Sequence, residues 1–181
     1  MKKLRGVIII VVCAALCIGY YLYLSYGPAG KEKQPTEVEQ LIGKDLDKSY
    51  PTTPREAIKL YNRMIICLYN EKLEEEDFQS LVLQVRKLFD EELITKNPED
   101  AYVQTFEVEA KAFQKDKKKI ISSTLSTSKE VVYETINEFE CAYVESSYYI
   151  KGKNDSERAG QTYIMRKDDQ GRWKILGYYK P

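Results

Sequence analysis

Eighteen consecutive uncharged residues, Val7–Leu24 (VIIIVVCAALCIGYYLYL), constrain this chain more than any other feature. Wound as a helix they would rise about 27 Å, close to the hydrocarbon thickness of a bilayer. Tyr20, Tyr21, Tyr23 and Tyr26 crowd the far end, where amphipathic rings settle at the headgroup level. Lys2, Lys3 and Arg5 precede the run, and the first lysine after it, Lys31, is followed at once by Glu32. This asymmetry predicts a single-pass anchor in the plasma membrane over 1–26, touching lipid through residues 7–24. The N-terminus would be cytoplasmic and the C-terminal body extracytoplasmic. The competing reading is a cleaved leader, cut after Ala29 in Gly27-Pro28-Ala29, but apolar leader cores usually run only about 7–15 residues. Ala15 and Gly19 lie four apart, a small-xxx-small spacing able to seat a second transmembrane helix.

Beyond the run, the chain is long enough for one domain with a proper core and too short for two. Lysine plus arginine number 28 and aspartate plus glutamate 28, interspersed, so the sequence carries no basic footprint for nucleic acid. The chain has no histidine, which removes Ser-His and Cys-His nucleophilic chemistry, the commonest general base and most zinc sites. No motif calls for a metal or a cofactor. Outside the apolar run only Cys67 and Cys141 remain. They read as two separate buried thiols, with a disulfide as the alternative in an oxidising compartment.

Residues 27–50 carry Gly, Pro, Lys, Glu and Gln with little apolar periodicity, and read as a linker with room for a short helix over 36–42. The folded domain is expected over 51–181. Thr53-Pro54-Arg55-Glu56 is a helix start, with a capping threonine, proline at the first turn and a glutamate that completes a capping box. Ala57, Tyr61, Met64, Ile65 and Leu68 follow at helical spacing, to about Asn70. A second helix opens at the acidic Glu74–Asp77 and buries Phe78, Leu81, Val82, Val85, Leu88 and Phe89, ending between Glu92 and Lys96. A third starts at Asn97-Pro98-Glu99-Asp100 and shows Tyr102, Phe106, Ala110 and Phe113 on one side. The lysines from Lys115 to Lys119 then complement its C-terminal dipole. After Lys119 the texture turns β-branched and aromatic. Strands are expected over 120–128, 130–136, 138–151, 158–167 and 172–179, the third bulged because neither alternation phase is clean.

The capped helix Thr53–Asn70 and the closing hairpin Gln161-Thr-Tyr-Ile-Met-Arg-Lys-Asp-Asp-Gln-Gly-Arg-Trp-Lys-Ile-Leu-Gly-Tyr-Tyr179 carry a resemblance. Three helices followed by a long-stranded antiparallel sheet resembles the nuclear transport factor 2-like, or ketosteroid-isomerase-like, cone over roughly 51–180. The resemblance implies an α+β fold in which three helices pack on a curved antiparallel sheet behind an N-terminal transmembrane helix and linker. It is similar in layout to bacterial envelope proteins. Enzymatic members of that family enclose a pocket in which an acidic base and a hydrogen-bonding Tyr or Asp handle an enolate. No motif here maps onto those roles. Tyr61, Tyr102, Tyr143 and Trp173 are the candidate pocket-lining residues, although aromatic side chains fill cores by default. Glu138, Glu140 and Glu145 read as a solvated strand face rather than paired catalytic carboxylates. The expected function is therefore a non-catalytic, membrane-anchored binding or assembly domain. It would meet an envelope protein or a second copy of itself. The alternative is a small-molecule or enzymatic pocket inside the cone, and a third reading is an oligomerising membrane subunit.

Overall fold

The computed structural model describes residues 12–23 and 34–180. The chain divides into two compact units, Met1–Pro35 and Thr36–Pro181. In the first, the described residues form one helix, α1, over 12–23, with every residue exposed. This corrects the expectation of a membrane span over Val7–Leu24. Twelve helical residues rise only about 18 Å against roughly 30 Å of hydrocarbon. No helix among the described residues is long and apolar enough to cross a membrane. Residues 7–11 and 24 of the expected span, with the Lys2–Arg5 cluster and the possible cut after Ala29, lie outside the described residues. The single-pass topology, the plasma-membrane location and the anchored fold class inferred from that span fall with it. Ala15 and Gly19 lie on α1, and no membrane span occurs among the described residues for them to pair in.

The second unit is α+β, and its first element lies inside the stretch expected as linker. Thr36 caps α2 (Glu37–Ile42), accepting from the Glu39 N–H while the Glu39 carboxylate accepts from the Thr36 N–H. Val38, Leu41 and Leu46 are buried, so the segment joins the core directly. Gln84 ties its end down by donating to the carbonyls of Ile42 at 2.6 Å and Lys44 at 3.2 Å. The capping box at Thr53 and Glu56 opens α3 (Pro54–Asn70) as the sequence requires. Between Ala57 and Asn70 only Lys59 and Arg63 are exposed, which makes α3 the central helix. Arg63 faces out to pair with Glu37 of α2 at 2.8 Å.

The long second helix expected from the sequence is broken in two, α4 (Glu75–Arg86) and α5 (Glu91–Lys96). Between them Phe89 forms a parallel bridge with Ile175, which accepts from the Asp90 N–H and donates to the Leu88 carbonyl, each at 2.8 Å. Leu88–Asp90 thus covers the edge of the last strand: the Leu88 carbonyl and the Asp90 N–H bond to Ile175, while the Leu88 and Phe89 N–H groups still donate to the Val85 and Arg86 carbonyls of α4. The Asp90 side chain then caps α5 through the Glu92 N–H. Helix α6 (Glu99–Lys115) follows and ends as the basic run predicts.

The sheet is curved, open and antiparallel, with five strands: β1 (Lys119–Leu125), β2 (Val132–Ile136), β3 (Phe139–Lys151), β4 (Ser156–Lys167) and β5 (Trp173–Tyr179). β3 is the axis. One edge pairs with β4 from Cys141 to Lys151, while the other is shared by β2 over Phe139–Tyr143 and β1 over Ser146–Lys151. The irregularities fall at Ile120/Ser122 of β1 and opposite Ile164/Met165 of β4, not in β3. The unclean alternation of β3 has another cause. Its inner face, Ala142, Val144 and Tyr148, is buried under the helices, and Cys141 on the outer face is buried as well. Cys67 and Cys141 are both free and buried, and burial pushes the Cys67 thiol up to about 12.

Candidate functional site

The periodicities that build the helices also aim a set of rings at the sheet. Tyr61, Ile65 and Tyr69 recur every fourth residue on α3, and Tyr102, Phe106, Glu109 and Phe113 form one stripe of α6. Across from them, alternation on the strands presents Tyr148 and Ile150 of β3, Gln161 and Tyr163 of β4, and Ile175 and Tyr178 of β5. The helices and the sheet do not close on each other. A cavity of 730 Å³ remains between them, open at one side, where Leu93, Lys96, Asn97 and Pro98 complete the wall.

Its walls are aromatic. Tyr61 meets Tyr163 edge-on with ring centres 5.4 Å apart, Phe89 meets Tyr102 edge-on at 5.6 Å, and Tyr69 contacts Phe106 at 5.3 Å and Phe113 at 5.0 Å. Gly177 marks a place where the sheet withholds a side chain. A Cβ built there would meet no heavy atom within 4 Å. Gly177 pairs with Ile164 and so shares the outer face with Tyr143, while its neighbour Tyr178 pairs with Tyr163 and faces the cavity; Gly177 gives the wall backbone only.

A buried polar relay forms the floor. Asn62 of α3 donates to the Ser146 hydroxyl at 3.0 Å and accepts from the Tyr148 hydroxyl. The Tyr148 and Tyr163 hydroxyls lie 3.2 Å apart, and Gln161 donates its amide to Tyr163. Asn62 is 1 % exposed and Tyr163 0 %, so each polar atom must find its partner within the protein. Burial raises the phenols of Tyr61, Tyr148 and Tyr163 well above their ordinary value, so they stay neutral across the physiological range. Charges occur only at the mouth. Lys96 is paired with Glu92 at 2.6 Å, and Glu109 accepts from the Tyr69 hydroxyl at 3.3 Å.

Of the four side chains expected to line a pocket, Tyr61 and Tyr102 line this cavity, whereas Tyr143 and Trp173 do not. Tyr143 pairs with Ile164 and Val132 on the outer sheet face, beside Glu134. Trp173 sits under Tyr133, 5.8 Å between ring centres, and beneath the Lys167 ammonium at 5.5 Å, beside a separate indentation of 170 Å³. Sequence reasoning missed Asn62 and Gln161. The available signal was an amide inside the apolar stretch Ile58–Leu68.

A second hollow of 480 Å³ lies where Tyr50, Asp90, Phe139, Arg166, Arg172 and Lys174 converge. Its charges are mostly spent on one another. Asp90 takes Arg166 in a two-point ion pair, and Arg172 binds Asp168 at 2.9 Å. Lys174 donates to the Lys87 carbonyl at 2.7 Å and lies over the Tyr50 ring. This is the chemistry of a brace between α4, α5 and the sheet. No group of three or more Cys, Asp or Glu side chains suited to a metal ion occurs among the described residues.

Compared with known families, the chain matches a domain of unknown function, DUF6715, over residues 1–178. No curated protein is significantly similar in sequence.

Proposed function

We propose that this chain, which belongs to the DUF6715 family, is a non-catalytic binding protein whose cavity holds a small, mostly apolar molecule. The observation that carries the reading is the combination of aromatic walls with a fully bonded polar floor, in a space of 730 Å³. Ligand sites are mostly apolar, with a few convergent polar groups, and fall in this size range. A core that merely failed to pack would not retain such a void, because each cavity of this kind costs stability. Binding without turnover is favoured by the lining. Among the described residues its one carboxylate is Glu109, at the mouth and already bonded to Tyr69, and its one ammonium, Lys96, is held by Glu92. The resemblance of the helices and sheet to the nuclear transport factor 2-like cone agrees with a pocket in this position.

Ile150→Trp tests the reading. Ile150 shares the inner face of β3 with Tyr148 and lines the cavity, so a larger ring there takes up space that a ligand needs. With 2-acetylnaphthalene as the probe, titration calorimetry should show saturable binding to the full chain and at least a tenfold loss in the variant, with its melting temperature unchanged or raised. Equal binding by the two proteins would remove the ligand from this cavity.

A further inference from the structure

The inner face of the sheet continues past the part that the helices cover. Ala142 of β3 is fully buried, whereas Tyr133, directly opposite it on β2, is 57 % exposed. Thr135 lies opposite Glu140 on the same face, and Trp173 of β5 opposite Lys167 of β4. The Tyr133 and Trp173 rings meet at 66° with centres 5.8 Å apart, so they form a corner. A hollow of 170 Å³ lies against it, completed by Thr135 and Glu140. Glu134 and Cys141 pair with each other on the opposite face, where Glu134 lies beside Tyr143, and give the hollow backbone only.

One cation of the chain already uses this chemistry. The Lys167 ammonium stands 5.5 Å over the Trp173 ring and holds both oxygens of Glu140, at 2.9 and 3.1 Å. Lys167 does not line the hollow, so the two rings keep a concave side of their own. We propose that this corner is a second binding site, separate from the large cavity, for the quaternary ammonium group of a small organic cation. Ring faces are negative in their quadrupole and attract such a group. A primary ammonium would bring three N–H donors to a hollow whose one carboxylate is engaged, whereas a quaternary ammonium has none to satisfy. An anion would meet Glu140 and two ring faces, all of its own sign. The 170 Å³ admits a compact head group and excludes a ligand that fills the 730 Å³ cavity. Lys167 is a competitor within the chain, because its charge repels an incoming cation and occupies Glu140.

Trp173 is the only tryptophan in the sequence, so a single indole N–H resonance reports this site. The test titrates the full chain with choline and with its uncharged isostere 3,3-dimethylbutan-1-ol, at matched ionic strength. Choline should move the indole signal saturably and bind about fivefold or more tightly than the alcohol, the worth of a cation–ring contact. Lys167→Met should tighten choline about threefold by removing a like charge. Tyr133→Leu should weaken choline about fivefold, while Tyr133→Phe, which keeps the ring, should stay within about twofold of the unaltered chain. Phosphatidylcholine vesicles form a further arm. A response of the indole to vesicles assigns the site to a lipid head group, and a response to free choline alone assigns it to a soluble cation; both uphold it. Equal binding of choline and the alcohol, an indole signal that choline does not move, a Tyr133→Phe protein as weak as Tyr133→Leu, or a Lys167→Met protein that binds choline no more tightly overturns the proposal. These outcomes are independent of ketone binding in the large cavity, so the two sites stand or fall separately.

Discussion

Asn62 sits one residue beyond Tyr61 on α3 and makes every polar contact its amide can reach, to Ser146 and Tyr148 across the helix–sheet interface. Replacing it with leucine strands the buried Ser146 hydroxyl and leaves Tyr148 only its contact with Tyr163. Asn62→Leu is therefore expected to cost about 1–3 kcal/mol, read as a lower urea midpoint with an unchanged slope. A midpoint equal to that of the unaltered protein would mean the relay carries no stability. Of this site the sequence shows the rings and hides the relay. Tyr61 and Tyr102 are legible because helical spacing puts them on an inward stripe. Tyr143 and Trp173 look equally plausible there. Tyr143 takes the outer face, which depends on a register fixed by partners far away in the chain, while Trp173 shares the face of Ile175 and lies beyond the end of the cavity. Asn62 is invisible because a lone amide on an apolar helix acquires meaning only when Ser146 and Tyr148 arrive opposite it.

At the scale of elements, local signals were read where they stand alone and missed where a partner decides. The capping box at Thr53 and Glu56 is plain in the sequence. The short helix expected over 36–42 is present as α2, opened by the same pattern at Thr36 and Glu39, and Val38 and Leu41 make it part of the core where a linker was expected. The break between α4 and α5 is harder to foresee, because Leu88 and Phe89 continue the helical stripe of α4 faithfully. What ends the helix is the free edge of β5, which takes the Leu88 carbonyl and the Asp90 N–H instead. Asp90 then serves two masters, capping α5 and holding Arg166. Asp90→Ala should cost about 2–3 kcal/mol, since it removes a cap and leaves the partly buried Arg166 guanidinium only its 3.6 Å contact with Glu92. Because α5 supplies Leu93 and Lys96 to the cavity wall, the same change should raise amide exchange over 91–97 well before global unfolding. Exchange unchanged in that segment would show that the brace does not hold it.

For the molecule as a whole, the longest apolar run in the sequence does not organise the described structure, in which the N-terminal helix spans only 12–23. The folded unit is held instead by α3 against the sheet, with Ile58, Met64, Leu68, Val144, Tyr163 and Met165 buried between them. So many buried phenols give the unit a defined response to base. Tyr61, Tyr148 and Tyr163 have folded values raised above the ordinary 10.0, chiefly by burial. Their neutral forms therefore favour the folded state. That stability is fully present below pH 10, and it is lost as pH rises from there through the folded values. Stability should accordingly be flat up to about pH 9 and fall steeply beyond pH 10. Absorbance at 295 nm should show these tyrosines ionising only as the protein unfolds. Free titration of all 15 tyrosines near pH 10 in the folded protein would contradict that picture of the cavity.

The central claim is that the space between α3, α6 and the sheet is built to be occupied. It is tested most directly by ring-labelling the tyrosines and following their carbon resonances while 2-acetylnaphthalene is added to the full chain. The account predicts shifts concentrated at Tyr61, Tyr102, Tyr148 and Tyr163, with Tyr133 and Tyr143 on other surfaces unmoved. Shifts confined to Tyr133, Tyr143 and Tyr179, or none at all up to the solubility of the probe, would contradict it.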